Sequence, residues 1–289
     1  MLDPVRLLDR HALDALVDRA LEEDGAGRDV TTTTLVPADQ GGRGVFLCKA
    51  EGVVCGLPVV EATFARVSPT LTLRPLVEEG GRVGPGEEIA VVEGPLAPML
   101  SAERVALNFL QRLSGIATLT RRFVDQAAGL PVRIADTRKT TPGLRLVERY
   151  AVRVGGGHNH RYNLADAVLI KDNHLVAART RGWSIAEIVR QVRLSIPHTM
   201  RVGMEATTEE DALEAIRAGV DVVLLDNMDL AAMRRIAAER HPHTVIEASG
   251  GVKLENVRAI AEAGVDVISV GALTHSAPAL DISLEVDLS

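Results

Sequence analysis

Cysteine and aromatic residues are scarce in this chain of 289 residues: there are 2 cysteines, and aromatics make up 2% of the composition. Two thiols, Cys48 and Cys55, are too few for a disulfide framework or a structural zinc site, so both are expected as small buried apolar residues. With few rings available, Ala, Val, Leu and Ile must fill the core, a common condition for parallel sheets wrapped by helices. No run of ~18 apolar residues is present, and the N-terminus lacks the basic, apolar and small-residue order of a signal peptide. The chain therefore reads as cytoplasmic, with no membrane partner. A basic excess is missing too. The 32 basic residues face 39 acidic ones, a net charge of -7, which argues against a nucleic-acid partner. Any positive site must be local.

What is present changes texture along the chain. From His11 to Glu23, Leu13, Leu16, Val17, Ala20 and Leu21 recur at helical spacing, and Gly25 and Gly27 stop the helix. Short β-rich runs follow between Gly44 and Gly94, at Val45 to Cys48, Val53 to Cys55, Leu71 to Val77 and Ile89 to Val92, and predict an antiparallel sheet. The stretch from Glu79 to Ile89 resembles half a lipoyl-type barrel, but no lysine sits at the hairpin tip to carry a prosthetic group, so it reads as structural. Ser101 to Ala128 predicts a helix with Ser101 as N-cap, Glu103 in the first turn and a bend or break at Gly115.

After Pro131, apolar runs at Val132 to Ala135, Ala151 to Val154, Ala167 to Ile170, Met200 to Met204, Val222 to Leu225, Thr244 to Ala248 and Val267 to Val270 read as strands. Amphipathic stretches at Ser184 to Leu194, Thr208 to Ala218, Leu230 to Arg240 and Leu254 to Ala263 alternate with several of them. This alternation predicts a parallel α/β barrel, with Asp281 to Leu288 returning to the first domain.

Barrel chemistry gathers where strands end, so the first polar residues after each run are the candidates. They are Asp136-Thr-Arg-Lys, Gly155-Gly-Gly-His-Asn-His-Arg, Lys171-Asp-Asn-His, Glu205, Asp226, Ser249-Gly250-Gly251 and Gly271-Ala272. Arg138, Lys139, His160, Arg161 and Lys171 form a cationic set inside an acidic protein, which implies an anionic ligand. Glu205 and Asp226 suit a hard divalent cation or a ribose diol, and magnesium fits both sets. The glycine-rich ends Ser249, Gly250, Gly251, Gly271 and Ala272 suit a phosphate monoester. Plainer alternatives stand beside these: a metal site at His158, His160 and His174, a Schiff-base Lys171 as in an aldolase, or a catalytically silent sugar-phosphate-binding barrel.

At these residues the sequence resembles the quinolinate phosphoribosyltransferase family. The likeness rests on Glu23-Asp-Gly-Ala-Gly-Arg-Asp-Val-Thr-Thr, the run from Glu103 to Thr118, Asp136-Thr-Arg-Lys-Thr-Thr-Pro-Gly-Leu-Arg, Gly155-Gly-Gly-His-Asn-His-Arg, Leu169-Ile-Lys-Asp-Asn-His and Glu247-Ala-Ser-Gly-Gly, in that order. It implies an N-terminal α/β sandwich over residues 1–112, an open parallel α/β barrel over 113–275 and a returning tail over 276–289. It further implies a homodimer in which Arg104 reaches the other subunit's pyridine site, joining Arg138, His160 and Arg161. Lys139, Lys171, Glu205 and Asp226 would then hold phosphoribosyl pyrophosphate and its magnesium. One departure is visible: Val202-Gly-Met-Glu carries Gly203 where the family often has a first glutamate. Placed on the opposite face of the strand from Glu205, that missing carboxylate is expected to affect packing and not catalysis.

Overall fold

The computed structural model describes residues 7–288. They fall into two compact units. The first holds the described residues up to Arg121, together with Lys139–Gly156 and the segment from Ala272 onward; the second holds Arg122–Arg138 and Gly157–Gly271.

In the first unit, helix α1 (Arg10–Asp24) starts where the Asp9 carboxylate accepts the Ala12 backbone N–H, and ends at Gly25 in the left-handed region. A short helix α2 (Val30–Leu35) is capped in the same way by Asp29. Strands β1 (Gly41–Cys48), β3 (Thr72–Pro75), β5 (Glu88–Pro95) and β12 (Ile282–Leu288) form one antiparallel sheet in the order β12-β1-β5-β3. Strand β12 pairs antiparallel with β1, Cys48 opposite Ile282. The lipoyl-like stretch contributes β4 (Arg82–Val83), which pairs with β2 (Gly52–Val53). Phe46 and Phe64 meet edge to face in a core with Met99, Leu110 and Ile282, and both cysteines are buried free thiols.

Several expectations fail in this unit, most of them because of contacts with residues distant in sequence. Helix α3 (Leu57–Val67) interrupts the β-rich region, because its N-terminal amides are capped from a distance: Glu79 accepts the Gly56 and Leu57 N–H groups. Helix α4 (Leu96–Gln126) begins five residues before Ser101, whose hydroxyl donates to Asp29 at 3.0 Å instead of capping. The helix runs unbroken through Gly115, where a Cβ would lie 2.0 Å from the Pro278 carbonyl oxygen; close approach, not a break, requires that glycine. Ala151–Val154 is no strand. It is the last turn of helix α5 (Arg145–Val154), in which Val147, Tyr150, Ala151 and Val154 recur at helical spacing and are buried.

The second unit is a parallel sheet of six strands rather than seven: β6 (Arg133–Ala135), β7 (Val168–Ile170), β8 (Val202–Ala206), β9 (Val222–Asp226), β10 (Val245–Ser249) and β11 (Val267–Ser269). Their order is β6-β11-β10-β9-β8-β7, and a single parallel bridge from Ala135 to His158 takes the seventh place. All six strands line one cavity of about 270 Å³, so the sheet curls into a barrel. Helices α6 (Asp172–Arg179), α7 (Ile185–Ser195), α8 (Glu209–Arg217), α9 (Leu230–Ala238) and α10 (Val257–Glu262) follow β7 to β10. Ser184, Thr208 and Asp229 cap α7, α8 and α9. The short helix α11 (Ala272–His275) belongs to the first unit.

Candidate active site

Register alone brings most of the barrel candidates to one level. Ile170 pairs with Met204, so Lys171 and Glu205 follow side by side; Ser249 pairs with both Asp226 and Ser269, and Ser269 with Ala135. The Lys171 ammonium donates to Glu205 Oε2 at 2.8 Å, with the lysine half-exposed and the glutamate mostly buried. The opening turn of α6 holds Lys171 in place, for His174 Nδ1 accepts its backbone N–H at 2.9 Å. That bond gives His174 a capping task, and among the described residues no three His, Cys, Asp or Glu side chains gather to hold a metal.

The end of β6 is organised by Asp136, fully buried and named among the strand-end residues from sequence without a role of its own. Its carboxylate accepts the Asn159 side-chain amide at 2.6 Å and the His160 backbone N–H at 2.7 Å. A buried carboxylate next to the Arg-Lys motif was the available signal. These bonds fix the 158–161 segment beside β6. Arg161 then donates to the Ala167 carbonyl at 2.8 Å, just before β7, linking the two edges of the open barrel. Burial, and next the nearby Arg138 guanidinium, draw Arg161 below the ordinary arginine value. Two like charges are held together there. Between them in sequence, His160 Nδ1 accepts the Arg161 backbone N–H at 2.8 Å.

Past β9, Asn227 adopts a positive φ of 55° and its backbone N–H donates to the Ser249 carbonyl. Gly250 has a φ of +84°, and a Cβ there would lie 2.4 Å from Asn227 Oδ1. Asn227 and Gly250 therefore seat the β9 and β10 loops against each other. Gly203 corrects the facing assigned to it. Residues two apart on a strand share a face, so Gly203 and Glu205 both turn inward, and Gly203 lines the barrel cavity between buried Val202 and Met204.

Arg104, Lys139 and Ala272 lie in the first unit. Arg104 is exposed on α4 beside Glu103, whose carboxyl is pushed up by burial. The loop bearing Lys139 is pinned by groups that sequence reasoning missed. Fully buried Glu148 accepts Arg112 at 2.7 Å and the Thr141 hydroxyl at 2.7 Å, and the Thr274 hydroxyl donates to the Lys139 carbonyl. Arg112 also donates to the carbonyls of Thr274 and Ala277.

This arrangement meets its relatives along the whole chain. Residues 29–114 match the profile described as the N-terminal domain of quinolinate phosphoribosyl transferase, and residues 116–285 match that of its C-terminal domain. The chain belongs to the quinolinate phosphoribosyltransferase family. It is 42% identical to the probable nicotinate-nucleotide pyrophosphorylase (carboxylating) of Bacillus subtilis, over 93% of this chain and 91% of that one. With the human nicotinate-nucleotide pyrophosphorylase (carboxylating) it shares 39% identity over 97% of this chain and 93% of the other. The crystal structure of NadC from Streptococcus pyogenes superposes with a TM-score of 0.92 at 35% identity, covering 98% of this chain and 99% of that one. Family membership carries the sandwich-and-barrel fold and the reaction. The enzyme transfers the phosphoribosyl group of phosphoribosyl pyrophosphate to quinolinate, giving nicotinate mononucleotide, pyrophosphate and carbon dioxide. An aldolase at Lys171 and a silent barrel are both set aside. Among the described residues no helix is long and apolar enough to cross a membrane.

Proposed function

We propose that the two substrates divide the strand ends between them. Quinolinate takes Arg138, His160 and Arg161, completed by Arg104 from the second subunit of a homodimer, itself able to join a larger assembly. Phosphoribosyl pyrophosphate takes Lys139, Lys171, Glu205 and Asp226, with its 5-phosphate on Ser249, Gly250, Gly251, Gly271 and Ala272. The supporting observation is how the strand ends are held: Arg161 is fixed beside β7 by its 2.8 Å bond to the Ala167 carbonyl, and Lys171 stands 2.8 Å from Glu205. The enzyme is read as cytoplasmic, with the division 1–112, 113–275 and 276–289.

The pyridine nitrogen attacks the ribose anomeric carbon as the carbon–oxygen bond to pyrophosphate breaks, and the leaving group departs with the electron pair. Lys139 and Lys171 neutralise that growing charge; Glu205 and Asp226 orient the ribose and tolerate a positive ring. Glu205 and Asp226 also fit magnesium, an ion that needs only one or two protein carboxylates when substrate phosphates supply the rest. When bound, it adds positive charge beside the leaving pyrophosphate. The bond to the adjacent carboxylate then breaks with its electron pair left on the ring carbon, where the neighbouring positive nitrogen stabilises it; carbon dioxide leaves, and that carbon takes a proton from water.

Calorimetry separates the two halves. Arg138→Lys and Arg161→Lys should weaken quinolinate roughly tenfold or more while sparing phosphoribosyl pyrophosphate, since lysine keeps the charge but loses the planar fork. Lys139→Ala and Lys171→Ala should do the reverse. Unchanged quinolinate binding in both arginine variants would put the donor on that side instead. For the dimer, inactive Arg104→Ala and Lys171→Ala proteins should regain part of the activity on mixing, since one site of each mixed dimer has both residues intact; exchange without recovery places Arg104 in its own subunit's site or in the fold.

A further inference from the structure

Glu247 on β10 is 4% exposed, turned into the barrel, and unused by the roles assigned above. A buried carboxylate requires partners, and two are at hand. The Ser269 hydroxyl donates to Oε1, and His160 Nε2 lies 3.4 Å from the same oxygen. Ser269 reaches it because Glu247 pairs with Val267, which places Ser269 two residues farther along β11 on the same face. The opposite side of the imidazole is already committed to the Arg161 backbone N–H at 2.8 Å. With the lone pair on Nδ1, the ring proton of neutral His160 sits on Nε2 and faces Glu247. The imidazole thus links an interior carboxylate to the backbone of Arg161, while Asp136 holds the His160 N–H. Glu247 is the only acidic residue lining the barrel cavity among the described residues, and Gly203 adds no side chain to compete with it.

We infer that Glu247, supported by Ser269, is a positioning residue for the pyridine site: it orients the His160 ring, and through Nδ1 it steadies the backbone that carries the Arg161 guanidinium. Such a role for substrate binding presupposes that quinolinate meets His160 and Arg161, as proposed above. In protein labelled with 15N-histidine, the His160 signal is identified by its loss in His160→Asn, and the wild type should show one neutral tautomer protonated at Nε2. Glu247→Gln keeps the side chain's size; its His160 signal should shift and broaden. KM for quinolinate should rise about tenfold, with KM for phosphoribosyl pyrophosphate and the melting temperature near wild type. Glu247→Asp should recover part of the loss, and Ser269→Ala should act in the same direction by a smaller factor. A His160 signal indifferent to Glu247→Gln overturns the positioning role. Equal rises in both KM values with a lower melting temperature overturn it as well, making Glu247 a fold element. Failure of the site assignment looks different: His160→Asn leaves quinolinate KM unchanged while the ring response to Glu247→Gln persists, and the link to substrate falls.

Discussion

Glu148 in the first unit and Glu205 in the barrel each meet a basic side chain, at 2.7 and 2.8 Å, yet the two pairs are built differently. Glu148 is wholly buried, and besides Arg112 it accepts both the backbone N–H and the hydroxyl of Thr141. Glu205 has Lys171 beside it, with the ammonium half in water. The first pair is saturated, so it can only hold a loop in place. The second leaves its ammonium half in water, so under the role proposed above it can exchange partners when a charged substrate arrives. Distance alone does not separate a structural ion pair from a working one. The number of fixed additional partners does.

The largest effect that would sharpen this contrast is on stability. Glu148→Ala leaves the partly buried Arg112 without its carboxylate and the Thr141 N–H and hydroxyl without their acceptor, and should cost about 3–5 kcal/mol, read by urea denaturation. A loss under about 1 kcal/mol would erase the distinction between the pairs. Lys171→Met should do the opposite, leaving stability within about 1 kcal/mol of wild type because the ammonium it removes is half in water, while turnover falls on the order of 100-fold. Full activity in that variant would break the comparison from the other side.

Smaller effects follow at the rim and in the first unit. Gly250→Ala forces a side chain into a positive-φ position against Asn227 and should cost about 1–3 kcal/mol, with a raised KM for phosphoribosyl pyrophosphate. The slightest effects are pH slopes of opposite sign at two first-unit carboxylates. Burial raises Glu79 above its usual 4.5, so its protonated form favours the fold; that contribution is complete below 4.5 and is lost as pH rises through the raised value. Asp29, lowered from 3.8 first by the Thr32 hydroxyl and then by the Thr32 N–H, contributes above 3.8 and loses it as pH falls through the lowered value. Denaturation midpoints across mildly acidic pH should therefore flatten in one direction for Glu79→Gln and in the other for Asp29→Asn.

The amino-acid sequence by itself determined the elements whose periodicity is local: α1 with its Asp9 cap and Gly25 stop, the capped helices α7 to α9, and the apolar runs that became β8 to β11. It also determined which polar residues stand at the strand ends, since register in a parallel sheet carries them to one level. The tertiary structure decided what depends on partners far along the chain. Helix α3 owes its start to Glu79, 22 residues beyond Leu57, and α4 extends back to Leu96 with Ser101 bonded to Asp29, 72 residues away. The run Ala151–Val154 is compatible with strand or helix in isolation, and it is resolved by the packing of α5, which is buried from Val147 through Val152 and again at Val154. Glu148 and Glu247 carry no local mark of their tasks, because the worth of a buried charge is set by the donors that surround it, and those donors come together only when the chain has folded.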